Sequence, residues 1–195
     1  VDVEQLKNAI KDETILISVM HANNETGVVQ PIEEIGKIAK EHKILFHVDA
    51  VQSMGKLNID PKGMGIDLLV FTAHKFYGPK GVGALYVRNG VRLGKVITGG
   101  GQERKLRPGT TNTPLIVGMA KALEKAYAER EEENKRVGAL RDYFEEQLLA
   151  KIPEIIVNGK NVKRLPGTSS ITFKYVEGES ILLSLSMKGI AVSSG

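Results

Sequence analysis

The sequence predicts an α/β fold, in which a mostly parallel sheet with flanking helices is followed by part of a smaller α+β carboxyl-terminal domain. Three observations lead to this prediction. Apolar, β-branched runs alternate with an amphipathic helix in the first half of the chain. A glycine-rich loop over residues 98–114 then leads into one long helical stretch. Shorter strand-like runs and one more helix follow that stretch.

The first half of the predicted fold consists of short elements. Asp2 is placed to cap a helix over residues 3–10. Pro31 opens an amphipathic helix whose apolar face carries Ile32, Ile35 and Ile38. Strands are predicted within residues 13–20, 43–50, 67–73 and 83–87. Because a helix separates the first two strands, this order favours a mostly parallel sheet.

The second half begins with a predicted helix from Pro114 to about Lys151. Its centre is charged all round, and a long helix with a solvated middle often joins two domains. We therefore place a boundary near Glu131, so that residues 1–130 form part of a large domain and residues 131–195 part of a small one. Further elements are predicted as strands near residues 154–158, 169–175 and 190–192, and as a helix near residues 178–189.

The composition is that of an ordinary globular protein, with 42% hydrophobic and 26% charged residues. A net charge of +4 without a basic stripe argues against nucleic-acid binding. No apolar run is long enough for a membrane span, so the cytoplasm is the expected compartment. The chain has no cysteine, and its four histidines form no ligand cluster, which disfavours a metal site.

Polar side chains follow three predicted strands at the point where each strand ends. In parallel α/β sheets, ligands bind beyond the carboxyl ends of the strands, so these side chains are expected to converge at one edge. They are His21, Asn23, Asn24 and Glu25 after the first strand, Asp49 and Gln52 after the second, and Thr72, His74 and Lys75 after the third.

The combination of Asp49 with Lys75 is the informative part of this set. Pyridoxal phosphate binds through a lysine Schiff base and needs an acidic partner on its ring nitrogen. Its phosphate needs donors, which Thr72 and His74 can supply. Each residue alone also has a structural reading, because strand-end aspartates commonly serve in turns and most lysines are solvated. Spacing alone leaves both readings open.

Five segments together resemble the NifS/IscS-type cysteine desulfurases, which are fold-type I enzymes dependent on pyridoxal 5'-phosphate. The resemblance runs from about Thr14 to Gly195, in the order and spacing of that family. The "NNETG" and "GGGQER" sequences favour this branch over the related SufS-type branch and over other class V aminotransferases. The matching segments are "MHANNETGVVQPI", "HVDAVQSMGK", "TAHKFYGPKGVGALYV", "GGGQER" and "AVSSG".

The resemblance implies roles for four residues around the cofactor ring. Lys75 would be the catalytic residue that forms the Schiff base and then carries the α-proton of the substrate. Asp49 would pair with the ring nitrogen, and Gln52 would contact the phenolic oxygen of the ring. Asn24 would lie near that oxygen and the substrate carboxylate.

The resemblance also implies how the cofactor phosphate is held. Thr72 and His74 would bind it, and the family often has serine where Thr72 stands. Thr110, in "RPGTTN", would reach the phosphate of the cofactor in a second subunit, which makes a homodimer part of the expectation.

The implied reaction converts L-cysteine to L-alanine and passes the sulfur to an enzyme cysteine as a persulfide. A sulfur-acceptor protein, such as an Fe–S scaffold, would then receive it for cluster assembly or thiolation. That cysteine and an arginine for the substrate carboxylate follow "SSG" in the family. We therefore expect this chain to be an internal piece of a longer enzyme, which continues past Gly195 with one cysteine within about ten residues, a span judged from the matched motif.

Two alternatives stay open at this point. Another class V enzyme on the same scaffold, such as an aminotransferase or a selenocysteine lyase, would share Asp49 and Lys75. A cofactor-free homologue acting as a scaffold belongs to a different class. It would have no need to keep Asp49, Gln52, His74 and Lys75 together.

Overall fold

The computed structural model describes residues 1–194, which form two compact units. The first unit comprises Val1–His21 and Gln30–Arg130, and the second comprises Ala22–Val29 and the described residues from Glu131 onward. The short segment Ala22–Val29 therefore belongs with the later part of the chain, although it directly follows the first strand. The assignment of residues 1–130 and 131–195 to a large and a small domain of the whole protein stays a prediction.

The first unit contains one four-stranded sheet in the order β1-β2-β3-β4. Strands β1 and β2 pair in parallel, β2 and β3 also pair in parallel, and β4 runs antiparallel to β3. The predicted mostly parallel sheet is thus confirmed. The strands are β1 (Leu16–Met20), β2 (Leu45–Asp49), β3 (Leu68–Thr72) and β4 (Gly83–Val87).

The two faces of this sheet differ in burial, because successive side chains of a strand point to opposite sides. Phe46 and Val48 of β2 and Leu69 of β3 are buried in the core. On the opposite face, Asp49 and Thr72 are only half-buried at the ends of β2 and β3. The polar candidates therefore lie on the more open face, which also carries the apolar Leu68 and Val70 of β3.

Helices α1 (Val3–Ala9) and α2 (Ile32–Glu41) pack against the core of the first unit. Helix α1 is capped as predicted, since the Gln5 amide donates to Asp2 Oδ1 at 2.9 Å. Helix α2 follows Pro31 and buries the predicted apolar face in the core.

The long helix α3 (Thr113–Lys151) agrees closely with its predicted bounds. In the second unit, β5 (Ile155–Val157) and β6 (Ile171–Phe173) pair antiparallel, and α4 (Gly178–Ser186) follows them. The predicted strand at 190–192 is wrong, because no strand within residues 1–194 pairs with these residues. Among the described helices, none is both long and apolar enough to cross a membrane.

A glycine in α2 marks the closest approach between this helix and the turn before β3. A Cβ atom on Gly36 would lie 2.0 Å from the carbonyl oxygen of Met64. We expect Gly36→Ala to lower the free energy of unfolding by about 1–3 kcal/mol, because backbone must move to admit the methyl group. Urea unfolding followed by circular dichroism measures this change.

Gly138→Ala is the matched control, since Gly138 also lies inside a helix. Its Cβ would meet only Pro166, at an ordinary 3.8 Å. Alanine should be neutral there or stabilise by up to about 1 kcal/mol through helix propensity. Equal stability of the two variants would contradict the tight packing of α2 at Met64.

Candidate active site

Asp49 ends β2 and organises the turn that follows. Its Oδ1 accepts a hydrogen bond from the Val51 amide at 2.9 Å, and its backbone carbonyl accepts one from the His21 amide at 2.8 Å. Among residues 1–194, no donor reaches its second carboxylate oxygen, Oδ2. Asp49 thus serves in a turn and still offers one carboxylate oxygen on the open face of the sheet.

Thr72 and His74 form a hydrogen-bonded pair at the end of β3. The Thr72 hydroxyl lies 3.1 Å from His74 Nδ1 and 3.1 Å from the carbonyl oxygen of Val82. The Thr72 hydroxyl donates its one hydrogen to the Val82 carbonyl oxygen, so His74 Nδ1–H is the donor to the Thr72 oxygen. His74 is exposed at this end of the sheet.

Lys75 is presented by a short 3₁₀ turn, Ala73–Phe76, directly after β3. The buried side chains of Ala73 and Phe76 anchor this turn in the core, and the Gly78 amide closes it by donating to the Ala73 carbonyl at 2.9 Å. Tyr77 follows at a φ of 64°. The Lys75 amine forms no hydrogen bond with any residue in the described part of the chain.

A second lysine, Lys56, lies in the same neighbourhood. Burial lowers the pKa of Lys56, and the positive charge of Lys75 lowers it further. The neighbouring residues Gly55 and Phe76 also pack closely, because a Cβ on Gly55 would lie 3.1 Å from Phe76 Cβ. Sequence reasoning missed Lys56, for which the only available signal was its place after Gly55 in the connection from Asp49.

The three remaining candidates are exposed or lack side-chain hydrogen bonds in the described part of the chain. Gln52 is half-buried in the turn after Asp49, and its amide forms no hydrogen bond among residues 1–194. Thr110 is exposed in the loop before α3, and no described residue hydrogen-bonds to its side chain. Asn24 is exposed and belongs to the second unit.

The structure therefore brings Asp49, Thr72, His74 and Lys75 to one end of the first unit's sheet. Gln52 is close to Asp49 in sequence. The roles assigned to all seven candidate residues, including Asn24 and Thr110, stay predictions. The final glycine of the "SSG" segment, Gly195, and the expected cysteine after it lie outside the described residues.

The functional groups of these side chains suit pyridoxal phosphate. A carboxylate oxygen without a donor suits a protonated ring nitrogen, and an amine suits an aldehyde. The Thr72–His74 pair offers a hydroxyl and an imidazole for an anionic phosphate.

Comparison with known proteins agrees with this chemistry. Proteins named cysteine desulfurase IscS from Dictyoglomus turgidum and Methanosarcina thermophila are 50% and 54% identical over the whole chain. The chain spans about half of their length, 50% and 48% respectively. The structure of a NifS-like protein from Rickettsia africae matches all of this chain and 55% of that one, with a TM-score of 0.94 at 35% identity.

A second structure, titled NifS-like protein, has the same TM-score of 0.94 at 40% identity, over the whole chain and 53% of its own. These neighbours confirm the fold-type I architecture. The model of the class V aminotransferase family matches residues 1–195. The chain therefore belongs to the class V aminotransferase family, whose members depend on pyridoxal phosphate.

Proposed function

We propose that the whole protein is a cysteine desulfurase, which converts L-cysteine to L-alanine and passes the sulfur to one of its own cysteines as a persulfide. The observation that carries the proposal is identity of about one half, over the whole chain, to proteins named cysteine desulfurase. The placement of Asp49 and Lys75 at one sheet edge supports it. A sulfur acceptor such as an Fe–S scaffold protein, and a cytoplasmic location, belong to the same proposal.

Each residue at the sheet edge has a distinct task in this proposal. Lys75 binds the cofactor aldehyde and afterwards takes the substrate's α-proton on Nζ. Asp49 keeps the ring nitrogen protonated through the oxygen that Val51 does not occupy. When bound, the cofactor accepts electron density from the α-carbon of the substrate. Thr72 and His74 hold its phosphate.

Three further contacts complete the proposed site. Gln52 donates to the phenolic oxygen of the ring, and Asn24 contacts that oxygen and the substrate carboxylate. Thr110 reaches the phosphate in a second copy of the chain, so the proposed enzyme is a homodimer.

The direct test is product analysis with the purified full-length protein, pyridoxal phosphate and L-cysteine. We expect alanine in amounts equal to the sulfur released to a thiol reductant. Amino transfer from cysteine to a 2-oxo acid would instead indicate an aminotransferase. Release of alanine only from selenocysteine would indicate a lyase, and absence of all three activities would favour a scaffold.

Borohydride reduction should attach the cofactor permanently to Lys75, and peptide mapping locates the tag. Lys75→Ala should lower turnover by at least about 10³-fold, since the residue both binds the cofactor and carries a proton. Lys80→Ala is the matched control, because Lys80 is an exposed lysine in the same glycine-rich segment. A tag on Lys56 or Lys80 in the wild-type protein would overturn the assignment.

Asp49→Asn should separate the turn role of this residue from its proposed cofactor role. The asparagine oxygen can still accept from the Val51 amide, so stability should change by less than about 2 kcal/mol. The amide cannot keep the ring nitrogen protonated, so turnover should fall by more than about 10²-fold. Near wild-type deprotonation of the substrate would show that Asp49 serves only in the turn.

The charge of Lys75 should be detectable through Lys56. In Lys75→Ala, the pKa of Lys56 should rise but stay below its ordinary value of 10.5, because burial still disfavours the charged form. A lowered pKa in the folded state makes stability increase with pH between that pKa and 10.5, so this increase should shrink in the variant.

Titration of the cofactor-free protein by NMR, with isotopically labelled lysine side chains, measures the pKa of Lys56. Lys80→Ala is again the control and should leave that pKa unchanged. An unchanged value in Lys75→Ala would mean that the two ammonium groups are not neighbours.

A further inference from the structure

The segment Ala22–Val29 is held by backbone hydrogen bonds of the second unit. The Val29 amide donates to the Lys163 carbonyl at 2.8 Å, and the Leu165 amide donates to the Gly27 carbonyl at 2.8 Å. Between these bonds, Val28 and Arg164 form an antiparallel bridge. The end of the segment thus behaves as one side of a short ribbon whose other side is residues 163–165.

Two glycines show how closely this ribbon is packed. A Cβ on Gly27 would lie 2.7 Å from Thr168 Cβ, and one on Gly159 would lie 2.6 Å from Val28 Cγ2. Both glycines also have positive φ angles, of 72° and 70°. Little space therefore remains for the segment to shift against the residues that hold it.

A buried ion pair ties the ribbon to helix α3. The Arg164 guanidinium donates two hydrogen bonds to the Glu145 carboxylate, both at 2.8 Å. Ser169 Oγ donates a third to the same carboxylate at 2.8 Å. Both charged side chains are only 5% exposed. One helical turn earlier, Arg141 donates to the Leu165 carbonyl at 2.9 Å.

Both partners are charged at neutral pH. The hydrogen bonds from Arg164 keep the pKa of Glu145 below its ordinary value although burial opposes this, and Glu145 raises the pKa of Arg164. A buried ion pair is weak evidence for stability, because desolvation offsets the attraction between the charges. The two parallel hydrogen bonds to Glu145 do restrict the orientation of the Arg164 side chain. They thereby also restrict the position of the backbone bridge between Arg164 and Val28.

The loop that carries Asn24 is closed by hydrogen bonds among its own residues. Asn23 Oδ1 accepts hydrogen bonds from the Glu25 amide at 3.0 Å, from the Thr26 amide at 2.8 Å and from the Thr26 hydroxyl at 3.0 Å. The Gly27 amide then donates to the Asn23 carbonyl at 3.0 Å. A movement of the ribbon at Gly27 would therefore carry Asn24 with it.

We propose that Glu145 and Arg164 are a positioning pair for Asn24. They hold the ribbon of residues 27–29 and 163–165 on helix α3, and the ribbon sets the location of the loop at residues 23–26. Neither residue touches the substrate or the cofactor. The consequence for cofactor binding rests on the proposed function, whereas the effect on the loop itself does not.

The first arm of the test measures local hydrogen exchange in the full-length holoenzyme. In Arg164→Met, exchange of peptides covering residues 22–29 and 163–165 should accelerate by at least about tenfold. Peptides covering β2 and β3 should be unchanged. Lys174→Met is the matched control, since it removes an exposed ion pair with Glu154 in the same unit. Unchanged exchange at 22–29 in Arg164→Met would overturn the proposal.

Two further variants keep the test decisive if Arg164→Met does not fold. Glu145→Met combined with Arg164→Met replaces the ion pair by apolar side chains, a change that folds tolerate well. It should still accelerate exchange at 22–29 if the single variant proves too unstable to purify. Arg164→Lys keeps the charge but not the two-pronged contact, so it should restore protection only partly.

The second arm measures pyridoxal phosphate affinity from the absorbance of the bound cofactor. Asn24→Ala and Arg164→Met should each weaken it by roughly tenfold, and the two together by little more than either alone. Independent effects that multiply to roughly a hundredfold would mean that Arg164 does not act through Asn24, which overturns the proposal.

The two arms keep this inference separate from the proposed activity. Accelerated exchange in a protein that makes no alanine from cysteine would support the positioning pair while the desulfurase proposal fails. Alanine formation together with unchanged exchange in Arg164→Met would support the desulfurase proposal and overturn the positioning pair.

Discussion

Parallel pairing of β2 with β3 determines where the polar side chains of the first unit lie. In this register, Asp49 is paired with Val70, and Thr72 stands two residues further along β3. Asp49 and Thr72 therefore share one face and one end of the sheet. A slip of one residue would turn Asp49 into the face now occupied by Phe46 and Val48, where an unpaired carboxylate is costly.

The register is held at both ends of β2. At the carboxyl end, the Ala50 amide donates to the Val70 carbonyl at 2.9 Å. At the amino end, the buried Asp67 accepts from the Phe46 amide at 2.8 Å and binds Arg88 just after β4. Asp67 thus links three strands at the end of the sheet opposite the candidate site.

The helices and strands of the first unit were predictable because their signals are local. Periodic isoleucines after Pro31, the cap at Asp2 and β-branched runs all act within a few residues. The grouping of Asp49 with Thr72 and Lys75 also followed, since parallel strands end at a common edge. The predicted strand at 190–192 failed because a strand depends on a pairing partner, which residues near in sequence do not reveal.

Long-range contacts explain what sequence reasoning missed. The membership of Ala22–Val29 in the second unit depends on bonds to residues more than a hundred positions later, such as that between Val29 and Lys163. The neighbourhood of Lys56 and Lys75 depends on how Gly55 packs against Phe76. Neither relation leaves a periodic or compositional trace. Both arise only when the elements pack.

The central claim is that the open edge of the β2–β3 pair holds the cofactor between Asp49 and Lys75. A crystal structure of the full-length protein with pyridoxal phosphate tests it most directly. We expect the ring nitrogen within about 2.7–3.2 Å of an Asp49 carboxylate oxygen, and Lys75 Nζ bonded to the former aldehyde carbon. A cofactor bound through another lysine, or with its ring nitrogen away from Asp49, would contradict the claim.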